Sequence, residues 1–167
     1  AANHDAVLDD NPTRFGIWEN RSPTALGPIC EITGSTWMGL NEYGVFAALT
    51  NRMAGYPNKG LRTRGQLIFR AIRSRSAEEA RDNLMEMDAA DFNPFHMVFA
   101  DLDTCLAIWT DGQTIHQEDL GHGLHIITER SFGAGDDPRA EWVLDKARRT
   151  QSVADLADVL SVQREPA

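Results

Sequence analysis

His122 and His125 lie three residues apart around Gly123. That spacing could present two imidazoles to a metal ion, or one of them to a haem iron. No further ligand stands beside them in sequence, and a pair of solvent-facing loop histidines would have the same spacing. Cys30 and Cys105 are far apart, so they make neither a disulfide framework nor a zinc ribbon. Both sit among apolar neighbours, which predicts buried, reduced thiols. Arg62, Arg64, Arg70, Arg73 and Arg75 form the single basic cluster. It is either a solvated helix face with its flanking loop or a docking site for an anionic substrate. Phe132-Gly133-Ala134-Gly135 is too short to cradle a phosphate, and the Asp9-Asp10 and Asp136-Asp137 pairs lack calcium-loop spacing. The nucleophile elbow, the Walker loop, the dinucleotide fingerprint and the His-Glu-x-x-His zinc motif are all absent.

Composition narrows the partners. Sixteen basic residues against twenty-five acidic ones give a net charge of −9 over 167 residues. Such a surface repels phosphate backbones, so nucleic acid is excluded as a partner. No apolar run approaches the roughly 18 residues that a membrane helix needs. Hydrophobic residues make up 42% and charged residues 25%, an ordinary globular mixture. The length suits one domain over residues 1–167. A reducing, cytoplasm-like compartment is the simplest expectation from the cysteine usage and the lack of a signal peptide.

The elements that must position any site are read from periodicity. Residues 6–35, rich in Asp, Asn, Pro and Gly, predict a long irregular excursion. Residues 36–40 and 45–51 flank the turn Asn41-Glu42-Tyr43-Gly44 and predict a β-hairpin, with Asn41 serving the turn. Leu67, Ile68, Ala71 and Ile72 share one helical face. Ser76-Ala77-Glu78-Glu79 opens a second helix as a capping box. Residues 95–100 and 105–110 form a second hairpin, followed by short strands at 114–117 and 124–128. Pro138 starts a third helix with Ala140, Val143, Leu144 and Ala147 facing inward. Ser152 caps a fourth, which is expected to bury Val153, Leu156, Ala157 and Leu160. Segregated ββ and αα blocks argue for an α+β fold, and a layered α-β-β-α sandwich uses this rhythm.

Three stretches carry a family resemblance. They are Ala1-Ala2-Asn3-His4-Asp5, Gly34-Ser35-Thr36-Trp37-Met38-Gly39-Leu40-Asn41, and Gly44-Val45-Phe46-Ala47-Ala48-Leu49-Thr50-Asn51-Arg52. With Asn93-Pro94-Phe95, Gly123-Leu124-His125 and Asp137-Pro138-Arg139-Ala140 following in order, the chain resembles the NRDE family, also called the transport and Golgi organization protein family. That family resembles a branch of the N-terminal nucleophile (Ntn) hydrolases, closest to the cysteine type that cleaves bile-salt amides and penicillin V. The resemblance implies an Ntn-hydrolase-like α-β-β-α four-layer sandwich.

It also implies a site. In such enzymes a Cys at position one uses its own α-amino group as base, and a carboxylate orients that amine. Side-chain amides donate to the oxyanion. By position, Asp5 would be the orienting carboxylate and Asn51 an oxyanion donor, with Asn3 holding the turn. His4, Trp37 and Glu129 would contact substrate. Against these roles stand plainer ones: Asp5 and Asn51 capping backbone groups at strand ends, and Trp37 in the core. His4 replaces the family's Arg, Ala6 its Glu, and Glu129 an Asn that would be a second polarising amide. A carboxylate cannot donate unless protonated. The chain reads as truncated at both ends, with the nucleophile upstream of Ala1. The implied activity is hydrolysis of a small amide. The alternative is a non-catalytic carrier of haem or another hydrophobic ligand, with no resident cofactor or metal in either case.

Overall fold

The computed structural model describes residues 13–18 and 22–161. Asn3, His4 and Asp5 therefore lie outside the described residues. The order of elements is β1 (Thr13–Trp18), β2 (Ala25–Cys30), β3 (Met38–Asn41), β4 (Phe46–Asn51), α1 (Gly65–Ala71) and α2 (Ala77–Met85). After a short 3-10 turn come β5 (Phe95–Ala100), β6 (Cys105–Thr110), β7 (Ile115–Asp119), α3 (Pro138–Ala147) and α4 (Val153–Ser161). The described strands form one seven-stranded sheet in the order β1-β2-β3-β4-β5-β6-β7, each antiparallel to the last.

Strand alternation divides the sheet into two faces. On one face Ala47, Phe95, Met97, Phe99, Leu106 and Ile108 meet Leu67, Ile68, Ala71, Ala80 and Leu84 of α1 and α2 in a single core. Helix α1 packs on β3 and β4, and α2 on β5 and β6. The Ser76 hydroxyl accepts from Glu79 N at 3.1 Å, and Glu79 reaches back to Arg75 N, so the capping box forms one residue wider than its simplest version.

Trp18 closes this core. Its indole lies 5.2 Å from the Phe69 ring and donates to the Gly27 carbonyl at 3.3 Å. Gly27 and Gly39 leave the room it needs. A Cβ on Gly27 would stand 2.7 Å from the Met38 carbonyl oxygen and 2.9 Å from Trp18, and one on Gly39 would stand 3.0 Å from Trp18. Gly27→Ala is expected to lower stability by about 1–3 kcal/mol, since backbone on one side and a packed indole on the other leave nothing cheap to move. Urea unfolding checks it.

Several expectations are corrected here. Residues 6–35 hold the β1–β2 hairpin instead of a wholly irregular excursion. Residues 124–128 form no strand. Helix α4 has the predicted Ser152 cap, whose hydroxyl accepts from Asp155 N at 3.1 Å, but buries none of its residues, and Val153 is 75% exposed. Cys30 and Cys105 are free thiols and half-buried. The Thr33 hydroxyl and amide beside Cys30 hold its thiol below the usual range, whereas burial pushes Cys105 up.

Candidate functional site

The antiparallel ladder brings alternate strand ends to one edge of the sheet. Cys30 pairs with Thr13, so β1 begins where β2 ends. Cys30 N donates to the Ser35 carbonyl, which carries the edge to the start of β3. Trp37 enters β3 there, its carbonyl accepting from Leu49 N at 2.8 Å. Asn51 ends β4 opposite Phe95, and Thr110 and Ile115 close the edge. Two expected site residues, Trp37 and Asn51, thus share one end of the sheet with the point where the chain enters β1 at Thr13.

Glu129 joins the same end through the backbone. Its carbonyl accepts from Met53 N at 2.8 Å, two residues past Asn51. Its carboxylate is exposed and 3.9 Å from Arg130 Nε, where solvent leaves an ion pair little strength. Asn51 is exposed, and among the described residues its amide forms no hydrogen bond, so its N–H donors are open to a ligand. Trp37 is half-buried, between its core and contact readings.

Sequence reasoning missed Arg52 and His96. Arg52 leaves β4 on the side opposite Asn51, its guanidinium carbon 4.2 Å from the centre of the Trp109 ring. Its Nη1 donates to the Ser131 carbonyl at 2.6 Å and lies 2.8 Å from His96 Nε2; Nη2 donates to the Phe132 carbonyl at 2.9 Å. A guanidinium cannot accept a hydrogen bond, so His96 Nε2 must present its lone pair and the ring proton sits on Nδ1. His96 is 1% exposed, and among the described residues Nδ1 has no partner within hydrogen-bond geometry. Burial pushes the imidazole down to about 4; the Ser131 carbonyl opposes that shift, and the Arg52 charge adds to it. Phe132 takes a left-handed backbone (φ 52°). Its ring lies 5.6 Å from His96 and parallel to Trp109 at 6.4 Å. A non-glycine residue held there is worth a functional question.

Beyond Phe132 opens a cleft of about 320 Å³ between α3 and the stretch before it. Leu120, Leu124, Ile126, Ile127, Phe132 and Leu144 make it apolar, with His125, Ser131 and Glu141 as its polar groups. The apolar residues at 124, 126 and 127 that suggested a strand are lining this cleft. Both histidines are exposed; His125 lines the cleft with its Nε2 2.6 Å from the Gly121 carbonyl, and His122 does not line it. Among the described residues no cluster of three or more His, Cys, Asp or Glu could hold a metal ion. The arginine cluster disperses into local contacts: Arg62 pairs with Asp91 at 3.1 Å, Arg64 donates to the Pro94 carbonyl at 2.8 Å, and Arg75 lies over Tyr43. Those contacts fit a solvated face, and among the described residues these three arginines do not converge on one point.

Over residues 1–163 the sequence matches the family described as Transport and Golgi organisation 2. No curated protein matches the chain. Among solved structures, the Caenorhabditis elegans N-acylethanolamine-hydrolyzing acid amidase (NAAA) ortholog superposes with a TM-score of 0.61 at 14% identity. The match covers 90% of this chain and 73% of that one. At that identity the likeness establishes the fold, α+β and Ntn-hydrolase-like. Of the four layers of such a sandwich, the described residues supply the α1–α2 layer, a sheet and the α3–α4 pair. Ile17 and Leu26, paired across β1 and β2, and Leu40, paired with Leu26 on β3, lie exposed on the sheet face away from α1 and α2. Among the described residues, no helix is long and apolar enough to cross a membrane.

Proposed function

Because the chain belongs to the Transport and Golgi organisation 2 family, we propose that it is the body of a cysteine-type Ntn amide hydrolase acting in the cytoplasm. Its nucleophilic thiol would come from upstream of Ala1 in the full-length protein. The observation that carries this reading is the convergence of Trp37, the open amide of Asn51, the Glu129 backbone and the entry of β1 at one sheet edge. In this reading an N-terminal cysteine would act at that edge, with its α-amino group as base and Asp5, outside the described residues, as the carboxylate that orients the amine. Asn51 then donates to the developing oxyanion. In this reading Trp37 would bound the acyl group's approach, Asn3 and His4, which lie outside the described residues, would contact substrate, and Glu129 stands where relatives carry a polarising amide.

The test uses the full-length protein and a panel of fluorogenic N-acyl amides. Asn51→Ala is expected to lower kcat by about 10²–10³, the usual effect of losing one oxyanion donor. Alkylation of the upstream thiol is expected to abolish turnover. Turnover that survives both treatments would remove the proposal.

A second reading is favoured by the apolar cleft. Its volume lies at the lower end of the ~300–1,000 Å³ range of small-molecule sites. In this reading the same body carries a hydrophobic ligand, haem included, without turning it over. His125 would be the single imidazole in the cleft to reach it. Leu144→Arg is then expected to weaken binding at least about tenfold, as a buried charge faces the apolar ligand. A haem titration with no Soret shift, unchanged by His125→Ala, would end the haem version.

A further inference from the structure

The cleft and the Asn51 edge are joined through one residue. Arg52 follows Asn51 directly, and its guanidinium fastens the Ser131 and Phe132 carbonyls, which belong to residues lining the cleft. The strand end beneath it is fixed as well: Arg52 N donates to the Pro94 carbonyl at 3.1 Å, and Met53 N to the Glu129 carbonyl at 2.8 Å. Three acceptors converge on the guanidinium from two elements, His96 from β5 and two carbonyls from the 131–132 turn, while Trp109 of β6 supplies its stacking surface. Burial holds His96 neutral, so it accepts and does not repel the cation. Phe132, in its left-handed backbone, is held there by the carbonyl bond to Arg52 and by packing on His96 and Trp109.

We propose that Arg52 is the positioning residue that sets the Phe132 wall of the apolar cleft in register with Asn51, making the cleft the acyl-group subsite of the Asn51 edge. The proposal rests on the hydrolase reading for the word acyl, but not for the positioning itself. A planar guanidinium can serve three acceptors while lying flat on an indole; a lysine ammonium cannot do both. Loss of Arg52 therefore frees the turn at 128–134 and misplaces one wall of the subsite, leaving the Asn51 amide itself intact.

The experiment compares full-length wild type, Arg52→Ala and Arg52→Lys by amide hydrogen exchange and by steady-state kinetics on a long-chain and a short-chain N-acyl amide. Exchange at residues 128–134 is expected to rise about tenfold or more in both variants, with β5 and β6 still protected. KM for the long-chain amide is expected to rise about tenfold, with kcat and the short-chain KM changed less than about threefold, the signature of lost uniform binding. If Arg52→Ala fails to fold, Trp109→Leu, which removes the stacking surface, should give the same local loss of protection. Unchanged protection at 128–134, or an Arg52→Lys variant that behaves as wild type, overturns the assignment. If the wild type hydrolyses neither amide, the hydrolase reading fails, and the exchange measurement alone decides the role of Arg52.

Discussion

Replacing Asn41 with alanine is expected to cost the fold about 3–5 kcal/mol, because one side chain satisfies four backbone groups and each left unpaired costs about 1–3 kcal/mol. Asn41 is 5% exposed. Its Oδ1 accepts from Tyr43 N at 3.0 Å and Val45 N at 2.9 Å, which builds the β3–β4 turn. Its Nδ2 donates to the Ile72 carbonyl at 2.8 Å and the Ser74 carbonyl at 2.7 Å, which ties that turn to the end of α1. Aspartate separates the two halves. It keeps both acceptor bonds but points a carboxylate at two carbonyls, so Asn41→Asp should be no better than alanine at neutral pH. Denaturant unfolding of the three proteins measures this. An aspartate variant as stable as wild type would mean that the tie to α1 contributes nothing.

Acidification is expected to remove about 3 kcal/mol of stability between pH 6.5 and pH 4, from His96 alone. Its imidazole titrates near 6.5 in the unfolded chain and at about 4 in the fold, where burial, more than the Arg52 charge, disfavours protonation. Across that window the unfolded state binds a proton that the folded state refuses, so stability rises with pH and is lost as pH falls. The magnitude follows from about 1.4 kcal/mol per pH unit. Below about 4 both states are protonated and the slope from this group ends. Asp101, Asp111, Asp137 and Asp155 also have values lowered from their usual 3.8, so they add losses of the same sign from about pH 5 downward. The window between about 5 and 6.5 therefore isolates His96. His96→Leu should flatten the pH profile there, and a variant that keeps the wild-type slope would assign it elsewhere.

How much of this was legible depends on what each residue packs against. The β3–β4 and β5–β6 hairpins stood out because apolar runs flank compact turns, and β5 and β6 span the residues expected of them. Helices α1, α2 and α3 followed from their stripes and, for α2 and α3, their first-turn signals. The β1–β2 hairpin was hidden by Gly16, Gly27 and Pro28, residues that usually mark loops. The glycine at 27 is there because Trp18 lies across it, a contact nine residues away that no local pattern reveals. Residues 124–128 read as a short strand because a cleft wall and a sheet face both ask for apolar side chains. In α4 the stripe is real, but its apolar face meets little of the described chain. Asn51, Trp37 and Glu129 were placed by family resemblance, and the sheet brings their backbones to one edge. Arg52 and His96 had a faint signal, a charged residue closing an apolar strand and a histidine at an alternating position of a buried one. Their pairing spans three strands and a distant turn, and periodicity does not see that.

Every strand of the sheet pairs with its predecessor in the chain, so most of the ladder is local. The β1–β2, β5–β6 and β6–β7 hairpins close over short turns, and β3–β4 over the Asn41 turn. A single seam is different: β4 meets β5 only after residues 52–94, including α1 and α2, have been looped out. Loop-closure entropy falls there, and nonlocal pairing is what slows folding. Joining the two β modules across the helix pair at the β4–β5 seam is therefore the expected slow step, which a destabilising substitution in that ladder would test by its effect on the folding rate. That same seam carries Asn51 at its end, so the candidate site depends on the sheet's longest-range strand pairing.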